Sequence, residues 1–104
     1  MGYAICVART NVQNEKHIRA IAANTLSVYI TPHATKRMRL RCIGIAEVFD
    51  VLRHGTIVRP PVMNDDKDNL ECRMERYVGG RNLAVVVALD DNDPDLIVVT
   101  AMIA

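Results

Sequence analysis

Residues 70–89 read Leu70-Glu71-Cys72-Arg73-Met74-Glu75-Arg76-Tyr77-Val78-Gly79-Gly80-Arg81-Asn82-Leu83-Ala84-Val85-Val86-Val87-Ala88-Leu89. In the first half Leu70, Cys72, Met74 and Val78 alternate with Glu71, Arg73, Glu75 and Tyr77, the period-two pattern of a strand with one wet face. Arg76 falls on the apolar side of that alternation. Gly79-Gly80 supplies a hairpin turn. The nearly continuous apolar run 83–89 that follows suits a central strand. Two antiparallel strands in the C-terminal half are therefore the anchor for everything else.

Working outward from this hairpin, residues 90–95 make a second turn and 96–103 the last strand. Three strands are predicted to meander antiparallel. Residues 56–59 are a candidate fourth, which Pro60-Pro61 must end or push to an edge. Residues 64–69 form a polar loop. Upstream the periodicity changes. Residues 12–23 place Val12, Ile18, Ile21 and Ala22 on a loosely helical pattern with Glu15, Lys16 and Arg19 toward water. Residues 27–30 are a short β-prone run. Thr31-Pro32 is a helix start, because threonine can cap the free amides and proline is preorganised at the first helical position; this helix runs to about Arg41. A third helix begins near Ile45 and ends at Gly55, its Val48, Phe49, Val51 and Leu52 packing under the sheet. The expected fold is α+β, with two to three N-terminal helices packed on a three- to four-stranded antiparallel sheet.

The chain has 104 residues, 50% of them hydrophobic and 24% charged. That size and balance fit one globular domain and exclude a disordered chain. The helical part spans about 12–54 and the sheet part about 56–104. With no Trp and one Phe, the core must be aliphatic, and platforms for base stacking are scarce. Cys6, Cys42 and Cys72 lack the paired spacing of a zinc site or a disulfide framework, so reduced thiols are expected. The apolar N-terminal run 1–8 is too short for a secretory core, and no later run approaches a membrane span, which points to the cytoplasm. Asp91, Asp93 and Asp95 mimic half a calcium loop, but Leu96 and Met102 stand where its glycine and glutamate are needed. Neither a glycine-rich phosphate loop nor a serine elbow is present. No metal or cofactor is expected.

Net charge is +1, yet residues 33–59 carry six basic side chains (Lys36, Arg37, Arg39, Arg41, Arg53, Arg59) against Glu47 and Asp50. Residues 90–95 answer with four aspartates. Within the basic stretch His33, Arg37 and Arg41 are spaced four apart, so on a helix they share one face, beside Ala34 and Met38 on a face that can pack. An imidazole in its neutral form can accept a proton at pH 7, and arginine supplies a permanent charge with a planar fork of donors for an anionic phosphorane. Lys36, Arg39 and Arg76 are candidate phosphate or RNA contacts. The same stripe is also what an exposed basic helix with an incidental histidine looks like.

The run Thr31-Pro32-His33-Ala34-x-x-Arg37-Met38-x-x-Arg41-x-Ile43, followed by residues 48–53, Gly55 and Ile57, resembles a family of small bacterial and phage-associated domains of unknown function. The tail 83–91 and Ile97-Val98-Val99-Thr100 is similar to that family's closing hairpin. Coverage is roughly residues 27–104. The family in turn resembles, distantly, the RelE and barnase-like toxin ribonucleases, which place helices before an antiparallel sheet and use no metal. The resemblance implies that His33, Arg37 and Arg41 belong to the family's helical motif and that Thr100 matches a hydroxyl-bearing position in the last strand. Cys42 departs from the pattern, standing where the family usually has glycine.

The expected function is therefore a toxin-like, metal-independent endoribonuclease, with His33 as proton acceptor, Arg37 and Arg41 on the phosphorane, and Thr100 or Arg76 on the phosphate. Its partners would be RNA and an antitoxin or other protein. The alternative is a noncatalytic module that binds protein or nucleic acid through the basic helix. Simple alternation in 96–103 puts Val98, Thr100 and Met102 on one sheet face and Ile97, Val99, Ala101 and Ile103 on the other. The site requires His33, an arginine and Thr100 to converge on one phosphate.

Overall fold

The computed structural model describes residues 10–64, 69–90 and 93–104. The N-terminal run with Cys6, and parts of the predicted 64–69 loop and 90–95 turn, lie outside the described residues. The elements are α1 (Asn11–Ala22), a 3-10 turn (Thr25–Ser27), β1 (Val28–Ile30), α2 (Pro32–Leu40), α3 (Ile45–His54), β2 (Thr56–Ile57), β3 (Val62–Asn64), β4 (Asn69–Val78), β5 (Arg81–Asp90) and β6 (Asp93–Ile103). The fold is α+β with its helices N-terminal.

The sheet departs from expectation in two ways. Among the described residues it has six strands, in the order β1-β6-β5-β4-β2 with β3 also paired to β4. It is also mixed, because β1 runs parallel to β6. The β-prone run before Thr31 thus joins the sheet as an edge strand beside the last strand. Parallel neighbours need a long crossover, and here the connection contains α2, α3 and the whole β2–β5 region.

The β4–β5 hairpin pairs Leu70 with Leu89 at one end and Val78 with Arg81 at the other. Gly79 and Gly80 take φ of 60° and 86°, the two positive values of the tight turn that matches strand twist. One sheet face carries Leu70, Cys72, Met74, Leu83, Val85 and Val87, all buried. Ile18 and Ala22 of α1, Ala34 and Met38 of α2, and Val48, Val51 and Leu52 of α3 close over it. Leucine and valine side chains buried this fully each contribute about 1.5–3 kcal/mol. The other face is covered by no described helix. Ala84 and Ala88 on it are nonetheless only 0% and 3% exposed, since flanking strands carry longer side chains.

The faces of β6 are not those of simple alternation. Val87 pairs with Val98, but Val86 pairs with Thr100, so Val99 is an extra residue in the strand. This bulge shifts the alternation by one. Val98 and Ala101 consequently face the core, whereas Ile97, Thr100 and Met102 stand opposite Ala88, Val86 and Ala84 on the open face. Thr100 therefore shares its side with Met102 but not with Val98.

α2 ends in a left-handed stop. The Ile43 N–H donates to Met38 O (2.9 Å) and the Cys42 N–H to Arg39 O (3.3 Å), the bond pair that closes a helix over a left-handed residue. That residue is Cys42, with φ of 53°. A side chain there costs about 1–2 kcal/mol, and glycine returns about 0.4–1 kcal/mol of that through the unfolded chain. Cys42→Gly is accordingly expected to stabilise the domain by about 0.5–1 kcal/mol, raising the melting temperature by a few degrees. An unchanged or lowered midpoint in a thermal melt would show that the turn is not strained.

Candidate active site

The second helix is fastened to β6 at both ends. At its start the Thr31 hydroxyl accepts the Ala34 N–H (3.1 Å) and donates to Val98 O (3.0 Å), while the Thr31 N–H also reaches Val98 O (3.2 Å). Pro32 follows at the first helical position. At its end the Arg41 guanidinium donates to Ala101 O through Nη1 (2.9 Å). The two anchor carbonyls flank the bulge at Val99. A nine-residue helix is thus held along one strand, and His33 leans from its first turn over the open face.

A second clamp fixes the turn after α2. Arg81, the first residue of β5, donates to Arg41 O (2.9 Å), to Cys42 O and to Glu47 Oε1 (3.2 Å). Glu47 in turn accepts the Gly44 N–H (2.8 Å) at the start of α3. One guanidinium thereby satisfies carbonyls that end one helix and a carboxylate in the first turn of the next.

His33 is exposed and lines a cleft of about 440 Å³ with Asn69, Glu71, Ala88, Ile97 and Val99. The cleft sits on the open face, walled by small and aliphatic side chains of β5 and β6 and by two polar residues of β4. The Asn69 Oδ1 is buried without a hydrogen-bond partner among the described residues. Neither Asn69 nor Glu71 was singled out from the sequence. The alternation in 70–78 does place Glu71 on the wet face, but nothing local to it points at a histidine 38 residues earlier.

The remaining predicted residues are distributed around this cleft and do not all meet in it. Arg37 is half-buried on the flank of α2. Arg41 is committed to Ala101 O, and neither arginine is paired with Glu47 or Asp50, which instead hold Arg81 and Arg76. Thr100 is half-buried on the open face, opposite Val86, which pairs on its other side with Arg73; the cleft wall itself is Ile97 and Val99. Lys36 is exposed on α2. Arg39 lies on the other flank of the helix, lining an apolar groove with Ile30, Met38, Cys42, Ile43 and Ile45. Arg76 bonds Asp50 (3.3 Å) and His54 O (3.4 Å) at the end of α3, so it lies apart from His33. Among the described residues no three His, Cys, Asp or Glu side chains gather closely enough to hold a metal ion. No described helix is long and apolar enough to cross a membrane.

A family model for a domain of unknown function, DUF4258, matches residues 30–103. The chain belongs to this family. The DUF4258 match begins at the last residue of β1 and ends at the last residue of β6, leaving α1 outside it and taking in every site residue named above. No curated protein and no solved structure matches the chain.

Proposed function

We propose that this DUF4258 domain is a metal-independent endoribonuclease of the toxin type, with the cleft shared by His33 and Glu71 as its site. The single observation that carries the proposal is that a histidine and a glutamate, from elements far apart in sequence, line one cleft. Cleavage of RNA through its own 2′-hydroxyl needs one proton acceptor and one proton donor on either side of a phosphate. A carboxylate is ionised at neutral pH and can accept; an imidazole, once protonated, can donate. Glu71 therefore takes the 2′-hydroxyl proton as the 2′-oxygen bonds to phosphorus. His33 gives a proton to the 5′-oxygen as its bond to phosphorus breaks. The products are a 2′,3′-cyclic phosphate and a free 5′-hydroxyl. This assigns His33 the role opposite to the one given it from sequence, because the glutamate now fills the acceptor's place. Arg37, on the flank of the same helix, supplies positive charge to the phosphorane. Arg41 holds the helix to β6.

Purified protein incubated with RNA in excess chelator is expected to release fragments ending in 2′,3′-cyclic phosphate. Intact RNA across single-stranded and structured substrates would sink the proposal. Tight RNA binding that falls with salt and survives His33→Ala would instead favour the noncatalytic module, for which the exposed Lys36 and Arg39 on α2 are the supporting feature. In the toxin reading a second protein neutralises the domain, so expression alone should slow growth and His33→Ala should relieve it.

A further inference from the structure

Glu71 lines two clefts. Beyond it from His33 lies a second, of about 200 Å³, lined by Arg59, Pro60, Val62 and Arg73 as well as Glu71. The two clefts thus adjoin on the open face with one side chain as their common wall. The second carries two guanidiniums. Arg59 is exposed in the segment between β2 and β3, and its guanidinium makes no hydrogen bond or ion pair with any described residue. Arg73 donates through Nε to Glu75 Oε2 (2.8 Å), which holds the guanidinium in place on the sheet while its two Nη groups bond no described residue. Glu71 and Arg73 are two apart on β4, so they point the same way and stand about 6.6 Å from each other. That is the reach between successive phosphates of an extended nucleotide chain.

From this juxtaposition we infer that Arg59 and Arg73 form a subsite for the phosphate next to the scissile one, making the substrate a single-stranded oligonucleotide laid across the open sheet face; the inference rests on the cleavage proposed above. Arginine suits a phosphate because its planar fork donates two parallel hydrogen bonds. A single strand is required because two adjoining clefts of this size take successive phosphates of one flexible backbone, whereas a duplex presents its backbone on a broad, stiff cylinder. The scarcity of aromatic side chains is consistent with a strand gripped by its backbone more than by its bases.

The test uses binding, so that it does not depend on turnover. A fluorescein-labelled 2′-O-methyl hexanucleotide has no free 2′-hydroxyl and cannot be cleaved; its anisotropy is followed across a salt series. Arg59→Gln is expected to weaken binding about fivefold to tenfold at low salt and to reduce the slope of log K against log salt by about 0.7, the value for one phosphate on a single strand. Arg59→Lys should restore the slope, and Lys16→Gln on the exposed face of α1 should change nothing. An unchanged slope in Arg59→Gln, or an equal loss in Lys16→Gln, would overturn the subsite. If RNA is cleaved but the Arg59 slope is unchanged, the subsite alone falls. If the hexanucleotide shows the Arg59 slope but RNA is never cleaved, the subsite stands and the cleavage reading falls.

Discussion

Glu71→Gln and His33→Ala are each expected to lower kcat/KM for RNA cleavage by about 10²–10⁴-fold, the range associated with losing one positioned acid or base. Gln keeps the size of the glutamate and loses its ability to accept a full proton, so the change tests chemistry with little disturbance of packing. His33 is exposed, so its removal should leave the melting temperature within a degree or two. Because the two groups act in one step, the double variant should be little worse than either single one. If Glu71→Gln cleaves at the wild-type rate, the carboxylate has no part in the chemistry.

Gly55→Ala is expected to be the most damaging alanine substitution among the described glycines. Gly55 closes α3 with its N–H on Val51 O (2.7 Å), and its own carbonyl accepts from Arg19 Nη2 (2.7 Å). An added Cβ would lie 2.4 Å from Val51 O and 2.9 Å from Glu75 O. Both are backbone atoms of packed elements and cannot swing aside. The glycine is required for space and not for a left-handed turn, since its φ is −75° and ψ 178°. Overpacking of this kind costs about 3 kcal/mol, and the melting temperature of a domain this size should fall by roughly 10–25 °C. A variant melting within a few degrees of wild type would show that α3 and β4 can part without penalty.

The elements that were legible in the sequence are those whose signal is local. Gly79-Gly80 between two patterned runs defined a hairpin, and Thr31-Pro32 marked the start of α2 to the residue. Gly55 marked the end of α3 correctly, though for a different reason from the one inferred. The parts that escaped depend on contacts between distant segments. Residues 27–30 read as β-prone, but nothing near them announces a parallel partner some seventy residues later. The bulge at Val99 is equally silent, because an extra valine in an apolar strand looks like continuation; it turned Thr100 to the other face. The same limit applies to the site. The helical spacing of His33, Arg37 and Arg41 put three side chains on one helix, but a cleft needs a second wall, and that wall is β4. Glu71 read as one more charged residue on a wet face until the sheet brought it into the cleft that His33 lines.

The position of β6 bears on when this domain becomes competent during its own synthesis. Val98 and Ala101 supply carbonyls that hold α2 to β6, Ile97 and Val99 wall the cleft, and β1 has no other neighbour among the described strands. A nascent chain that has emerged only as far as β5 can form the hairpin and pack α3 on it, yet its His33 helix lacks the strand carbonyls that fasten it at both ends. Closing a contact between residues near 30 and residues near 98 is also entropically late, since the intervening loop is most of the domain. The ribosome making this protein therefore handles a chain whose His33 cleft does not exist until synthesis has passed β6.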